Sequence, residues 1–287
     1  MVSHNEVIRN FFNAGDREYY NKGANVFFED NTLYSYGHHF ILAQECKNGY
    51  ILNGDGYSVS TSKHQSYTRR HAPSDSPIIP FSALESLFKS RTKKYNPSTI
   101  EELKQIEIID ITEDTYTTVT RQDKNGDPYE AKVHHLGASL FKYKNKYYIS
   151  SIDATGKSYN TFFICTLQGR PETVEEAFRD MAQNLTDKEY KGYLEGKIKR
   201  QGEYFLIPDN TPILEARIKP FIKHKKNLSK TGNAHIARDY VKIDKDTILI
   251  RGTLRHREHK MICMGNVWHK VIKNTAKRSW SASGNVD

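Results

Sequence analysis

The chain has 287 residues, of which 37% are hydrophobic and 27% charged, with a formal net charge of +9. Its 18 Tyr and 13 Phe supply core, which excludes a disordered polymer, and the length suits one large or two ordinary domains. No apolar run reaches the roughly 18 residues of a membrane span, and the opening MVSHNEVIRNFFNAG has no apolar centre, so neither an anchor nor a signal peptide is expected.

The charge is unevenly placed. Residues 1–190 hold 22 Lys and Arg against 25 Asp and Glu, whereas residues 191–287 hold 21 against 9, a net of +12. A basic half of this kind points to an anionic partner. Cys46, Cys165 and Cys263 are odd in number and far apart, which predicts reduced thiols in a cytosolic protein.

In chain order, Ser3 caps a first helix whose apolar face is Val7, Ile8, Phe11 and Phe12, closed by Gly15. NVFFED, LYSYG, HFILAQEC and GYILNGDG follow at the spacing of an antiparallel meander over 25–56. Residues 61–72, capped by Ser58 or Ser60 and stopped by Pro73, read as a helix, and a further helix spans about 81–91. After a charged linker come IEIIDI, TYTTVTRQ, EAKVHHLG, ASLFKYK, KYYISSID and FFICTLQG, with turns at Asn125-Gly126 and Asn145-Lys146. RPETVEEAFRDMAQNL is an amphipathic helix, and EYFLIP is a strand. The stretch from Ile213 to Val241, broken by Pro220, reads as loop or short helix. Three strands close the chain at 247–255, 260–264 and 267–272, with Gly265-Asn266 as a two-residue turn and a loose tail behind them. The fold class is α+β, mostly antiparallel sheets with a few short helices, in two lobes: 1–170, and a basic 171–287 ending in a three-stranded unit.

The stretch STSKHQSYTRRHA, 60–72, draws attention. Its first turn offers N–H groups and the donors Thr61, Ser62 and Lys63, the chemistry of an anion site. Lys63, Tyr67 and Arg70 share one helix face, which suits a phosphate backbone with a base stacked on Tyr67. A capped, solvated helix with Tyr67 turned inward is the plainer reading, and catalysis by His64 with Lys63 as electrophile is a third.

DNTLYSYGHHFILAQ followed by ILNGDGYSVSTSKHQSYTRR resembles an uncharacterised domain that recurs in hypothetical proteins of bacteria, plasmids and phages. The resemblance covers residues 28–72 and is carried by Tyr34, Ser35, Tyr36, Gly37, His39, Thr61, Ser62 and His64. It implies a mobile-element setting, with the host cytoplasm as location, and sets His39 beside His64 in one site. It brings no activity with it.

RHREHKMICMGNVWH holds His256, His259 and His269. With a turn at 265–266 the row of His269 lies roughly 10 Å from that of His256 and His259, too far for one ion. His256 and His259 could share an ion only with a third ligand such as His235. The expectation is no metal, and the absence of GxxxxGK[ST], HExxH and GxSxG leaves no cofactor to expect.

These observations leave three functional readings. The first is a nucleic-acid-binding protein, of RNA or DNA, anchored by Thr61, Ser62, Lys63, Arg69, Arg70, Lys197, Lys199, Arg200, Lys223, Lys225, Lys226, Arg251, Arg255, Arg257 and Lys260, with Tyr67 and Trp268 as stacking surfaces. The second is a metal-independent phosphodiesterase, with His64 and His38 or His39 as the acid–base pair and Lys63 on the phosphate. The third is a protein-binding module, a virion or anti-defence component.

Overall fold

The computed structural model describes residues 3–13, 25–88, 97–113, 115–122, 128–135, 137–153, 155–157, 162–209, 215–228, 235–274 and 279–281. It is an α+β protein of three mostly antiparallel sheets and a separate hairpin. Asn125-Gly126 and Gly15 lie outside the described residues.

The first sheet is the expected meander: β1 (Val26–Glu29), β2 (Thr32–Ser35), β3 (Ile41–Cys46) and β4 (Gly49–Asn53) pair in sequence. A two-residue parallel strand, β5 (Ile78–Ile79), completes it. Neighbouring residues such as Leu33 and Tyr34, Ile41 and Leu42, and Ile51 and Leu52 are all buried. Successive strand residues point to opposite faces, so both faces of this sheet are covered, and its strands read as continuous apolar runs. On one face Leu33, Leu42 and Leu52 meet Val7, Ile8 and Phe11 of helix α1 (His4–Phe12). Ser3 accepts from Glu6 N–H at 3.2 Å and sets where that helix begins. Helix α2 (Val59–His71) packs on the same side and begins two residues earlier than residue 61, because Ser58, not Ser60, is its cap.

On the other face Tyr34, Ile41 and Ile51 join Phe81, Leu84, Leu103, Phe141, Tyr148 and Ile164 in one core. Phe81 and Leu84 belong to α3 (Phe81–Phe88), Leu103 to α4 (Pro97–Lys104). The sequence reading put a charged linker where α4 lies. Its polar face, with Glu101, Glu102 and Lys104, masked a single buried edge.

The second sheet supplies Phe141, Tyr148 and Ile164. β6 (Ile106–Thr112), β9 (Ala138–Tyr143), β10 (Lys146–Ile152) and β11 (Phe162–Thr166) are its strands, and β7 (Thr115–Gln122) with β8 (Pro128–His135) form the separate hairpin. The turn between β9 and β10 is Lys144-Asn145, one residue earlier than expected, with Lys144 at φ 54°. The far face of the sheet, Leu140, Ile149 and Cys165, is covered by Val174, Ala177 and Met181 of α5 (Val174–Met181).

The third sheet departs most from expectation. α6 (Asp187–Leu194), with a full capping box at Thr186 and Glu189, leads into β12 (Lys199–Gln201) and β13 (Tyr204–Pro208). A helical turn α7 (Glu215–Ile218) and a 3-10 turn at Lys219–Phe221 precede β14 (Lys223–Asn227) and β15 (Ile236–Lys242), in the stretch read as loop or short helix. With β16 (Ile248–Arg255) and β17 (Ile262–Lys273) the sheet has six strands in the order β12-β13-β17-β16-β15-β14, not three. Gly265-Asn266 is not a turn. β17 runs straight through it, and Gly265 (φ 62°) lies opposite Gly252 (φ 86°) in an irregularity of the ladder. Each glycine takes a left-handed backbone that costs another residue about 1–2 kcal/mol. The residues read as loose tail include β18 (Ser279–Ser281), which pairs with β11 at the edge of the second sheet.

Candidate functional site

Helix α2 carries the stretch singled out above, and its geometry divides the residues. Lys63, Arg69 and Arg70 are exposed. Tyr67 is half-buried against the first core, with Lys63 and Arg70 at 5.9 and 5.8 Å from its ring centre. Its face is occupied by the helix's own cations, not held open for a base. Thr61 is buried and bonded to Ser58 Oγ, and Ser62 Oγ donates to the Ser58 carbonyl. The donors expected for an anion serve the helix start.

His64 points the opposite way from Lys63, into the protein. Its Nδ1 shares a hydrogen bond of 2.9 Å with Ser35 Oγ, and its Nε2 one of 3.0 Å with His4 Nδ1. Burial first, then the charges of His4 and Lys63, lower its pKa to about 4. A neutral, buried imidazole with both nitrogens engaged has none to offer a phosphate, which departs from the acid–base role expected of His64; Lys63 stands exposed on the opposite side of the helix. His39 is exposed beside the Tyr57 ring, and His38 pairs with Glu29 at 2.8 Å. The imidazole that meets His64 is His4, from a helix sixty residues upstream. No motif in the sequence links His4 to His64.

The basic residues of the third sheet divide in the same way. Lys223, Lys225 and Lys226 are exposed along the edge strand β14, and Lys197, Lys199, Arg255, Arg257 and Lys260 are exposed too. Arg200 is not: its side chain is 12% exposed, 3.6 Å from Asp153 and over the Phe163 ring. Arg251 bonds Asp239 at 3.2 Å and lies 4.5 Å from the centre of the Trp268 ring. Trp268 itself is 6% exposed, packed with Ile218, Val241 and Leu249. Arg200 is therefore a structural cation, and Trp268 a core residue instead of a stacking surface.

A different group of side chains comes together where the third sheet meets the second. The loop after β16 lies against the segment after β10: Lys260 N–H donates to the Thr155 carbonyl at 2.6 Å, Lys157 N–H to that of Glu258 at 2.9 Å, and Gly156 and His259 form a bridge. This docking buries His256 and His259 beside His235, which leads into β15; they are 6%, 4% and 1% exposed. One ring nitrogen from each lies within 4.8 Å of the other two. The rings of His235 and His256 stack at 4.3 Å, those of His256 and His259 at 4.5 Å.

Their surroundings are polar and specific. His259 Nδ1 meets Asp153 Oδ2 at 3.2 Å and Thr155 Oγ1 at 3.3 Å. His256 Nδ1 accepts from Glu258 N–H at 3.2 Å. Burial acts to raise the pKa of Asp153. The His259 bond, the Arg200 charge and two bonds from Thr155 outweigh it and hold the carboxyl below its ordinary range. His269 is not part of the group: it lies opposite Ile250, seven residues along β17 from Ile262 and so roughly 20 Å away. Its Nδ1 bonds the Val267 carbonyl. The HxxH spacing made two of the three histidines visible in the sequence and His235 was open there as a third; what brings it to the other two is the β15–β16 pairing. No family model matches the chain, and no curated protein or solved structure matches it either.

Proposed function

We propose that the chain is a nucleic-acid-binding protein of a mobile element and grips a phosphate backbone along the edge of its third sheet. One observation carries the reading: β14, Lys-His-Lys-Lys-Asn, is exposed at every position, including Lys223, Lys225 and Lys226. Cations ranged along an outer strand present their charge to a partner without an intervening acid of the same strand. Exposed Arg238, Lys242 and Arg255 on the neighbouring strands β15 and β16 extend the field. Phosphate contacts of this kind bind without sequence preference and release counterions.

The test is affinity for random duplex and single strands, followed by fluorescence anisotropy as salt is raised. Five contacts give a log–log slope near −4 to −5 on duplex. Lys223→Gln, Lys225→Gln and Lys226→Gln together should lower its size by about 3. No binding to either strand at low salt overturns the proposal. A protein partner is the second reading, favoured by Phe221, Ile236, Met261 and Val267, which are large, apolar and exposed in the same region of sequence.

A further inference from the structure

The geometry points to a buried transition-metal site, of the zinc class, held by His235, His256 and His259. Three imidazoles, one leading into β15 and two from the loop after β16, are enclosed together, each with a ring nitrogen within 4.8 Å of the others. Zinc binds imidazole nitrogen at about 2.0–2.1 Å, and a tetrahedral set places its nitrogens about 3.4 Å apart. Closing the three onto one ion takes ring movements below about 1 Å, given the reach of the bond.

Gly202 marks where the nitrogens are aimed. A Cβ built there would stand 3.0 Å from His259 Nε2 and 3.1 Å from His235 Nε2, so both atoms face the same space beside a residue with no side chain. One opposite nitrogen is committed in the way metal ligands require: His259 Nδ1 donates to Asp153, which fixes the ring and leaves Nε2 as the inward atom. His256 Nδ1 accepts from the Glu258 N–H, so that ring carries its proton on Nε2 and gives up the Glu258 bond when Nδ1 ligates. A carboxylate behind a ligating histidine orients it and raises its basicity. Imidazole nitrogens suit zinc, cobalt, nickel and copper rather than magnesium or calcium. With three protein ligands, the fourth position goes to a small ligand such as water. The site lies where the loop after β16 docks on the segment after β10, so the ion ties that loop to the start of β15, with Asp153 of the docked segment behind His259. It is independent of the polyanion reading.

The experiment uses the untagged full-length chain, stripped with chelator, incubated with excess zinc and desalted. Elemental analysis should find about one zinc per chain, cobalt should give the visible bands of a four-coordinate ion, and zinc X-ray absorption should count three imidazoles. His256→Gln and His259→Gln, checked for folding by circular dichroism, should each lose the retained zinc. Less than half an equivalent in the wild-type chain, or two imidazoles or fewer, overturns the site. The absorption count needs no variant, so a variant that fails to fold leaves the test intact.

Discussion

Replacing Asp153 by Ala removes a carboxylate that sits with Arg200 at 3.6 Å, His259 at 3.2 Å and Thr155 Oγ1 at 2.7 Å, all in a place with almost no access to water. The loss leaves a guanidinium only 12% exposed without its counter-ion. Breaking a buried pair in this way costs about 3–5 kcal/mol. For a chain of this size that is a fall in Tm of roughly 6–20 °C. The control is Asp187→Ala, which also breaks an arginine pair, at 2.7 Å to Arg179, but one whose acid is 97% exposed. Screening by water limits that pair to less than about 1 kcal/mol. Thermal melts by circular dichroism, run with chelator so that no ion contributes, compare the two. If Asp153→Ala melts within about 2 °C of Asp187→Ala, the argument from burial fails. The pH dependence adds a second check. The folded pKa of Asp153 is depressed, so its stabilisation is complete above the unfolded value of 3.8 and is lost as pH falls through the folded value. The gap between wild type and Asp153→Asn should hold from neutrality down to about pH 4.5 and close only in stronger acid.

Three further outcomes follow from other parts of the molecule. His64, with its pKa lowered to about 4, stays neutral in the fold while the unfolded chain takes up a proton below about 6.5; stability should fall between those values, and fall less in His64→Gln, as urea melts across pH 7 to 4 would show. Gly252→Ala forces a side chain to φ 86° and should cost about 1–2 kcal/mol, so an unchanged denaturation midpoint would contradict the strained bulge. Phe11→Ala empties a fully buried position between α1 and the first sheet and should cost about 3–5 kcal/mol, read by the same melts.

Much of the first two sheets was legible because their strands are apolar and end at turn residues. LYSYG, HFILAQEC and FFICTLQG announce themselves by composition alone. The third sheet hides its first members. Lys223–Asn227 is an edge strand without a buried residue, so it shows neither alternation nor apolar content. Edge strands are often protected by lysine in this way. Gly265-Asn266 has the chemistry of a hairpin turn, yet its glycine serves a bulge, and only the pairing with Gly252 reveals which. Among site residues, exposure and partners were the unreadable part. Trp268 and Arg200 have the residue types of a nucleic-acid surface, but Leu249 and Asp153, neither near in sequence, claim them. His4 escaped notice for the same reason, since its partner His64 belongs to another helix.

The pairing of β18 with β11 bears on how the chain folds. Phe163 stands opposite Ser281, over a hundred positions apart, while the third sheet is built entirely from residues between them. The second sheet therefore gains its outer strand only after the intervening chain has been made and brought back. Closing so long a loop is entropically costly until the inserted residues are compact and draw its ends together. Refolding should then be sequential, with the third sheet forming first and the β11 edge sealed last in a slow phase. Pairings of such long range slow folding. A chain cut after Asn274 would skip that phase and keep the β11 edge open, and edge-to-edge association would be its characteristic failure.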